Sequence, residues 1–173
     1  MIKNHIHFIK MGGTIEFFDP AYDAINKRLM KLDSTIDSYL KNLIQPHFSF
    51  SAESVVEKDS REITNADRDK LVAAIKSAAH KNIVVTHGTF TLWQTAQYLE
   101  QYLMDVVETE GKKIILTGSM IPLTGFSMSD AGFNLGFTIA SFETVEPGVH
   151  ICMNGGIFKP GEVEKNTELL RFE

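Results

Sequence analysis

The residues of this chain best suited to chemistry are threonines that follow glycine. Thr14 follows two glycines, and Thr89 follows one in the stretch THGTFT (86–91). Glycine lets the backbone turn tightly and approach a ligand, and an activated threonine hydroxyl can act as a nucleophile. Lys165 could supply the base if desolvation lowered its pKa. The structural alternatives stay open, because Thr14 could cap a turn and Lys165 could be an ordinary solvated lysine.

Roles can also be predicted for the other residues of THGTFT. One of Thr89 and Thr91 is expected to cap the following helix, while the other points its hydroxyl into a crevice. Backbone N–H groups at the start of that helix would favour an anion such as a carboxylate. His87 is expected to be a hydrogen-bonded structural imidazole at a strand end.

Several well-known site patterns are absent from the sequence. There is no dinucleotide fingerprint, no Walker A sequence and no G-x-S-x-G elbow. No cluster of His, Cys, Asp and Glu has metal-ligand spacing, so a metal enzyme is not expected. Cys152 is the only cysteine and lies in the apolar run VHICMN, which predicts a buried, unreactive thiol.

Short apolar runs alternate with longer amphipathic segments along the chain. Strands are predicted at 5–10, 47–57, 82–87, 112–119 and 149–154. Helices are predicted at 25–44, 64–81, 91–109 and 129–143, the second opening on a capping-box pattern at Thr64 and Asp67. This alternation predicts an α/β fold, a three-layer α/β/α sandwich with a mostly parallel sheet and flavodoxin-like strand order.

The predicted sheet explains where a site would form. Ligands of open α/β sheets bind outside the carboxyl ends of the strands. Gly- or hydroxyl-rich loops follow each of the first four predicted strands, at 12–14, 59–61, 87–91 and 118–120. A small-molecule site at this edge is therefore predicted, although turns and helix caps also need such residues.

Composition limits the classes of partner. The chain has 173 residues, 43% of them hydrophobic and 23% charged, which suits a single globular domain over 1–173. A net charge of −5 argues against nucleic acid or an anionic membrane as the main partner. The first residues, MIKNHIHFIK, are too polar for a signal peptide and no run of about 18 apolar residues occurs, so a cytoplasmic protein is expected.

Taken together, the loops resemble the bacterial-type L-asparaginase family. The resemblance rests on MGGTIE (11–16), THGTFT (86–91), ILTGSMIPL (115–123), SDAGFNL (129–135) and GEVEKN (161–166), in that order. It matches the amino-terminal domain of that family, whose fold is an α/β sandwich. It implies hydrolysis of the side-chain amide of asparagine, or of a related amide, without a cofactor. It also implies a homo-oligomer, either a dimer or a tetramer.

The resemblance also implies roles for particular residues. Thr14 matches the nucleophile that forms an acyl-enzyme, and Thr89 with Lys165 matches the pair that activates it. Ser60 matches a serine that binds the substrate carboxylate. The remaining implied substrate-binding positions are Arg61, Gly88, Phe90, Ser119 and Tyr22, the last on a lid segment of looser spacing.

Three departures from the family pattern stand out. Phe90 occupies the aspartate position of the His-Gly-Thr-Asp-Thr motif, where the family aspartate contacts the substrate amino group. A phenylalanine cannot accept that hydrogen bond or balance that charge. Met11 and Ile121 are milder departures, replacing a threonine and an arginine. The smaller carboxy-terminal domain of the family is not in the sequence, so a fragment and a single-domain relative both stay open.

Three hypotheses about function follow. The first is an asparaginase-type amidohydrolase that uses Thr14, Thr89 and Lys165. The second is a non-catalytic or altered-specificity relative that binds a small ligand or a partner, its activity impaired by Phe90. The third is flavin or nucleotide binding, which would use the same strand-end geometry.

Overall fold

A six-stranded sheet forms the centre of the protein in a computed structural model that describes residues 5–16, 35–103, 107–124 and 128–173. The strands are β1 (Ile6–Gly12), β2 (Phe50–Lys58), β3 (Asn82–Thr86), β4 (Lys113–Thr117), β5 (Gly148–Met153) and β6 (Gly156–Phe158). Their spatial order is β2-β1-β3-β4-β5-β6. The first five strands are parallel and β6 is antiparallel to β5. This confirms the mostly parallel sheet with flavodoxin-like order.

Helices cover both faces of this sheet. They are α1 (Thr35–Ser38), which continues as a π-helical turn over Tyr39–Ile44, α2 (Asn65–Ser77), α3 (Leu92–Leu103) and α4 (Ala131–Ser141). The first part of the helix predicted at 25–44 lies outside the described residues. The helix predicted at 91–109 is shorter than expected, because residues 107–109 form a separate 3-10 turn. None of the described helices is both long and apolar enough to cross a membrane.

Two hydrophobic cores lie on opposite faces of the sheet. Adjacent strand residues point to opposite faces, so Val85 packs with α2 and α3 while Val84 packs with α1 and α4. The central strands are buried on both faces, which explains their continuous apolar sequences. Cys152 lies in the second core, where burial raises the pKa of its thiol to about 11, and it stays protonated at neutral pH.

Side chains close both ends of α2. Thr64 and Asp67 form the predicted capping box, with the Asp67 carboxylate accepting the Thr64 amide at 3.0 Å. Lys58 also donates to Asp67 at 2.8 Å, and these bonds hold the pKa of that carboxyl well below its usual range. At the other end, the buried Lys112 ammonium donates to the carbonyls of Ile75 and Ala78 at 2.6 and 2.8 Å. A positively charged group is favourable at the carbonyl end of a helix, which carries partial negative charge.

The last part of the chain contains elements that were not predicted. Asn154 and Gly155 form a tight turn from β5 to β6, and both have positive φ, as a type I′ hairpin turn requires. β7 (Lys165–Asn166) then pairs with β8 (Arg171–Phe172) in a small second sheet. The Phe172 amide donates to Asn154 Oδ1 at 3.0 Å, which anchors this second sheet to the hairpin turn.

Candidate functional site

Three glycines allow the predicted site loops to pack directly against one another. A Cβ atom at Gly13 would lie 2.3 Å from the amide nitrogen of Gly88, and a Cβ atom at Gly88 would lie 2.7 Å from Ser60 Oγ. A Cβ atom at Gly118 would lie 2.4 Å from the carbonyl oxygen of His87. The loops that follow β1, β2, β3 and β4 are therefore in direct contact, and only glycine fits at these three positions.

Thr89 and Lys165 meet at this edge of the sheet. The Lys165 Nζ donates to Thr89 Oγ1 at 2.8 Å, although 76 residues separate them in sequence. Thr89 is buried in the loop after β3, and the short strand β7 holds Lys165 half-buried above it. A hydroxyl and an amine at hydrogen-bond distance have the geometry of a nucleophile or proton carrier beside its base.

Phe90 lies at the same place, next to two cations. Its side chain is 44% exposed, and Lys165 Nζ lies 3.9 Å from the centroid of its ring. The Arg61 guanidinium carbon lies 4.9 Å from that centroid. Both distances are in the range of cation–π contacts. Phe90 therefore contacts the Thr89–Lys165 pair instead of pointing away from it.

Asp59 is the partner of Arg61 at this site. Its Oδ1 accepts the Arg61 backbone amide at 2.8 Å and the Arg61 Nε at 2.9 Å, while its Oδ2 accepts Nη2 at 2.9 Å. These bonds lower the pKa of the Asp59 carboxyl, so it is ionised at neutral pH. Its negative charge is thereby engaged by Arg61.

The surroundings also lower the pKa of Lys165. Burial is the main cause, since it disfavours the ammonium, and the positive charge of Arg61 adds to it. Asp59 opposes the shift to a smaller extent. Within the described part of the chain, no carboxylate lies at ion-pair distance from Lys165 Nζ. The amine is thus closer to its neutral, basic form than an exposed lysine.

Thr14, Ser60 and Thr91 complete this group of loops. Thr14 is exposed and immediately follows Gly13, which packs on Gly88. Ser60 is buried, and its carbonyl accepts the Thr91 hydroxyl at 2.6 Å. Of the two threonines at the start of α3, Thr89 therefore meets the lysine, while Thr91 ties its loop to the one after β2.

One predicted site residue, Ser119, uses its hydroxyl away from this group. Ser119 is fully buried, and its hydroxyl donates to the carbonyl of Ile121 at 2.7 Å within its own loop. Tyr22 lies outside the described residues. Ser119 therefore shapes the loop after β4 and does not present its hydroxyl beside Thr89.

His87 is fully buried and hydrogen-bonded at both ring nitrogens. Its Nδ1 donates to the Gly88 carbonyl at 2.8 Å, and its Nε2 accepts from Thr95 Oγ1 at 2.9 Å. Arg68 Nε in turn donates to Thr95 Oγ1 at 3.0 Å. Burial lowers the pKa of His87 to about 4, so the ring is neutral at pH 7. These hydrogen bonds connect Arg68, Thr95 and His87 and stabilise the loop that contains Thr89.

Two residues that hold the site loops in position were not predicted from the sequence. Asp130 accepts the backbone amides of Met120 and Ile121, each at 2.9 Å. Asn134 donates to the Gly118 carbonyl at 3.0 Å and accepts the Asn154 amide at 3.1 Å. Their spacing of four residues at the start of a helix places them on one face, which was the available signal. No group of three potential metal ligands is found among the residues that the structure describes.

Comparison with known proteins identifies the family of this chain. Residues 5–169 match the sequence profile described as Asparaginase, N-terminal. A glutaminase-asparaginase from Acinetobacter glutaminasificans is 33% identical over 96% of this chain and 51% of its own length. Another from Pseudomonas fluorescens biotype A is 34% identical over 65% of this chain and 32% of its own length.

Solved structures give the same result. The thermostable L-asparaginase from Thermococcus kodakarensis has a TM-score of 0.79 at 25% identity, over 98% of this chain and 50% of its own. L-asparaginase I from Vibrio cholerae shares the fold, with a TM-score of 0.78 at 23% identity, over 99% of this chain and 51% of its own. This chain thus spans about half the length of the Acinetobacter relative and of both structures, and about a third of the Pseudomonas relative. The chain belongs to the asparaginase family.

Proposed function

We propose that this chain hydrolyses the side-chain amide of asparagine, or of a related small amide, through a threonine nucleophile. The single observation that supports this most is the 2.8 Å hydrogen bond between Lys165 Nζ and Thr89 Oγ1. Thr14 lies in the adjoining loop, on the backbone that packs against Gly88. An exposed hydroxyl in a loop that adjoins a hydroxyl–amine pair suits covalent amide hydrolysis, which needs a nucleophile and a base.

The proposed reaction has two steps. Lys165 in its neutral form accepts a proton through Thr89, and Thr14 Oγ1 attacks the amide carbon. The tetrahedral intermediate collapses as the protonated Lys165 returns this proton to the leaving nitrogen, so that ammonia departs, an ester remains on Thr14 and the base is neutral again. Water then attacks the ester and gives a proton to the same base, which passes it to Thr14 Oγ1 as the carboxylic acid leaves.

The remaining parts of the proposal concern the whole protein. We expect a small-molecule substrate, no metal or organic cofactor, and a homo-oligomer that is a dimer or a tetramer. Residues 1–173 would form a single domain of the asparaginase amino-terminal type, working in the cytoplasm. Ser60, Arg61, Gly88 and Phe90 would line the substrate site, with Thr14, Thr89 and Lys165 as the catalytic residues.

Turnover and covalent capture test the proposal. Release of ammonia is measured with asparagine, glutamine and the monoamides of short dicarboxylic acids. We expect turnover of at least one amide, and acid quenching should leave the acyl group on the peptide that contains Thr14. In Thr14→Ala both signals should vanish, with turnover falling about 10³-fold or more. Thr167→Ala, at an exposed turn, is the matched control.

An alternative is a relative that binds a ligand without hydrolysing it. Phe90 favours this alternative, because its ring occupies the space beside the Thr89–Lys165 pair. Turnover of none of these amides by the unmodified chain, together with binding of one of the corresponding acids, would support it over the hydrolase.

The lowered pKa of Lys165 predicts how the rate of hydrolysis should depend on pH. Arg61 lowers this pKa by repulsion, so Arg61→Met should raise it, and the Asp59 carboxylate left behind should raise it further. The base would then become neutral only at higher pH. We expect the rising limb of the kcat–pH profile, measured at saturating substrate, to move to higher pH. Lys41→Met, an exposed change in the π-helical turn that follows α1, should leave the limb in place.

A further inference from the structure

Two basic side chains, Lys165 and Arg61, lie beside Thr89 and Phe90. Lys165 Nζ lies 2.8 Å from Thr89 Oγ1, and the Arg61 guanidinium lies against the Phe90 ring next to it. Asp59 is the carboxylate bonded to Arg61, and three hydrogen bonds from Arg61 already engage its two oxygens. A ligand bound beside Thr89 therefore meets the Arg61 guanidinium, partly balanced by the carboxylates of Asp59 and Glu62, and the Lys165 amine, which adds a positive charge whenever it is protonated.

Such surroundings discriminate between ligand charges. A carboxylate on the ligand would be attracted by both cations, and it could also accept N–H groups of Arg61. A guanidinium has five N–H donors, and the Asp59 side chain takes two of them. An ammonium on the ligand would instead be repelled by both cations. Desolvating the ammonium would add a further cost, because Asp59, the carboxylate next to Arg61 in the described part of the chain, is already engaged by Arg61.

Phe90 adds a second reason to exclude an ammonium. The aromatic ring could in principle attract a cation, but Lys165 and Arg61 already lie at 3.9 and 4.9 Å from its centroid. The ring offers no hydrogen-bond acceptor, and its exposed part provides an apolar surface for methylene groups. The ligand that suits this surface is a short carbon chain.

We propose that the substrate of this site is an amide that bears a carboxylate but no ammonium, namely a monoamide of a short dicarboxylic acid. The inference rests on the proposed function, because the amide is required by the Thr14–Thr89–Lys165 chemistry. The substrate should lack an ammonium because Lys165, Arg61 and Phe90 lie together at this site. Succinamate and L-asparagine are the matched probes, since they differ only in the amino group.

Hydrolysis and binding are measured separately on the unmodified chain. We expect kcat/KM for succinamate to exceed that for asparagine at least tenfold, and succinate to bind at least tenfold more tightly than L-aspartate by calorimetry. Phe90→Asp would supply a carboxylate for an ammonium, so it should reverse the binding preference toward L-aspartate. Phe90→Leu removes the ring without adding charge and should still prefer succinate.

The outcomes separate the inference from the function on which it rests. Faster hydrolysis of asparagine than of succinamate would overturn the inference and leave the amidohydrolase proposal standing. Preferred binding of succinate without turnover of any amide would support the inference about ligand class and overturn the proposed function. Equal binding of succinate and L-aspartate, or binding of neither, would overturn the inference.

Discussion

Replacing Lys165 by methionine should lower kcat/KM for amide hydrolysis about 10³-fold while leaving the fold intact. The lysine is the only group hydrogen-bonded to Thr89 Oγ1 in the described part of the chain, so its loss removes the proton acceptor. Methionine keeps an unbranched apolar side chain over the Phe90 ring, where its sulfur can make a favourable contact. The effect should therefore appear in turnover rather than in thermal stability.

Lys159→Met is the matched control for this change. Lys159 is an exposed lysine six residues earlier, just after β6, and its side chain has no described contact with Thr89. Steady-state kinetics and thermal unfolding are measured on both variants. If Lys165→Met retained kcat/KM within a factor of ten of the unmodified chain, the role of Lys165 as the base would be rejected.

Gly13→Ala should destabilise the protein by about 3 kcal/mol or more. The added methyl group would lie 2.3 and 2.4 Å from the backbone N and Cα of Gly88, and backbone atoms cannot move aside as a flexible side chain would. Gly13 also has a φ of 84°, a conformation that costs alanine further energy. The loops of Thr14 and Thr89 would have to separate.

Gly136→Ala provides the same chemical change without the clash. Gly136 is exposed within α4, and an added Cβ atom there would meet nothing within 4 Å. This variant should gain up to about 1 kcal/mol, because alanine is the better helix former. Urea unfolding of the two variants measures the difference. Equal stability of both would show that the contact between Gly13 and Gly88 is not tight in solution.

The fold could be read from the sequence because its signals are local. The buried strands are continuous apolar runs, and the capping box at Thr64 and Asp67 depends on residues three positions apart. The β5–β6 hairpin was not predicted although Asn154-Gly155 is a strong hairpin signal, because β6 has only three residues and leaves no alternating pattern after the turn. The two-residue strands β7 and β8 are too short to leave a pattern.

The site was only partly predictable, because its contacts join distant residues. The loops that follow parallel strands meet at one edge of the sheet, which places Thr14, Thr89 and Ser60 there. No sequence pattern near Lys165 indicates that its side chain reaches Thr89. That pairing came from the resemblance to a family. Ser119 was predicted to bind substrate, but its hydroxyl donates to a carbonyl two residues away in its own loop. The sequence does not show in which direction such a hydroxyl points.

Both edges of the central sheet are poorly suited to pairing with another chain. At one edge β2 exposes the carboxylates of Glu53 and Glu57, and at the other edge β6 has three residues. Charge and short length are two means by which proteins prevent edge strands from joining foreign sheets. Subunits of an oligomer would then have to meet through helices or loops, and a partly unfolded chain would be less prone to nucleate aggregates through this sheet.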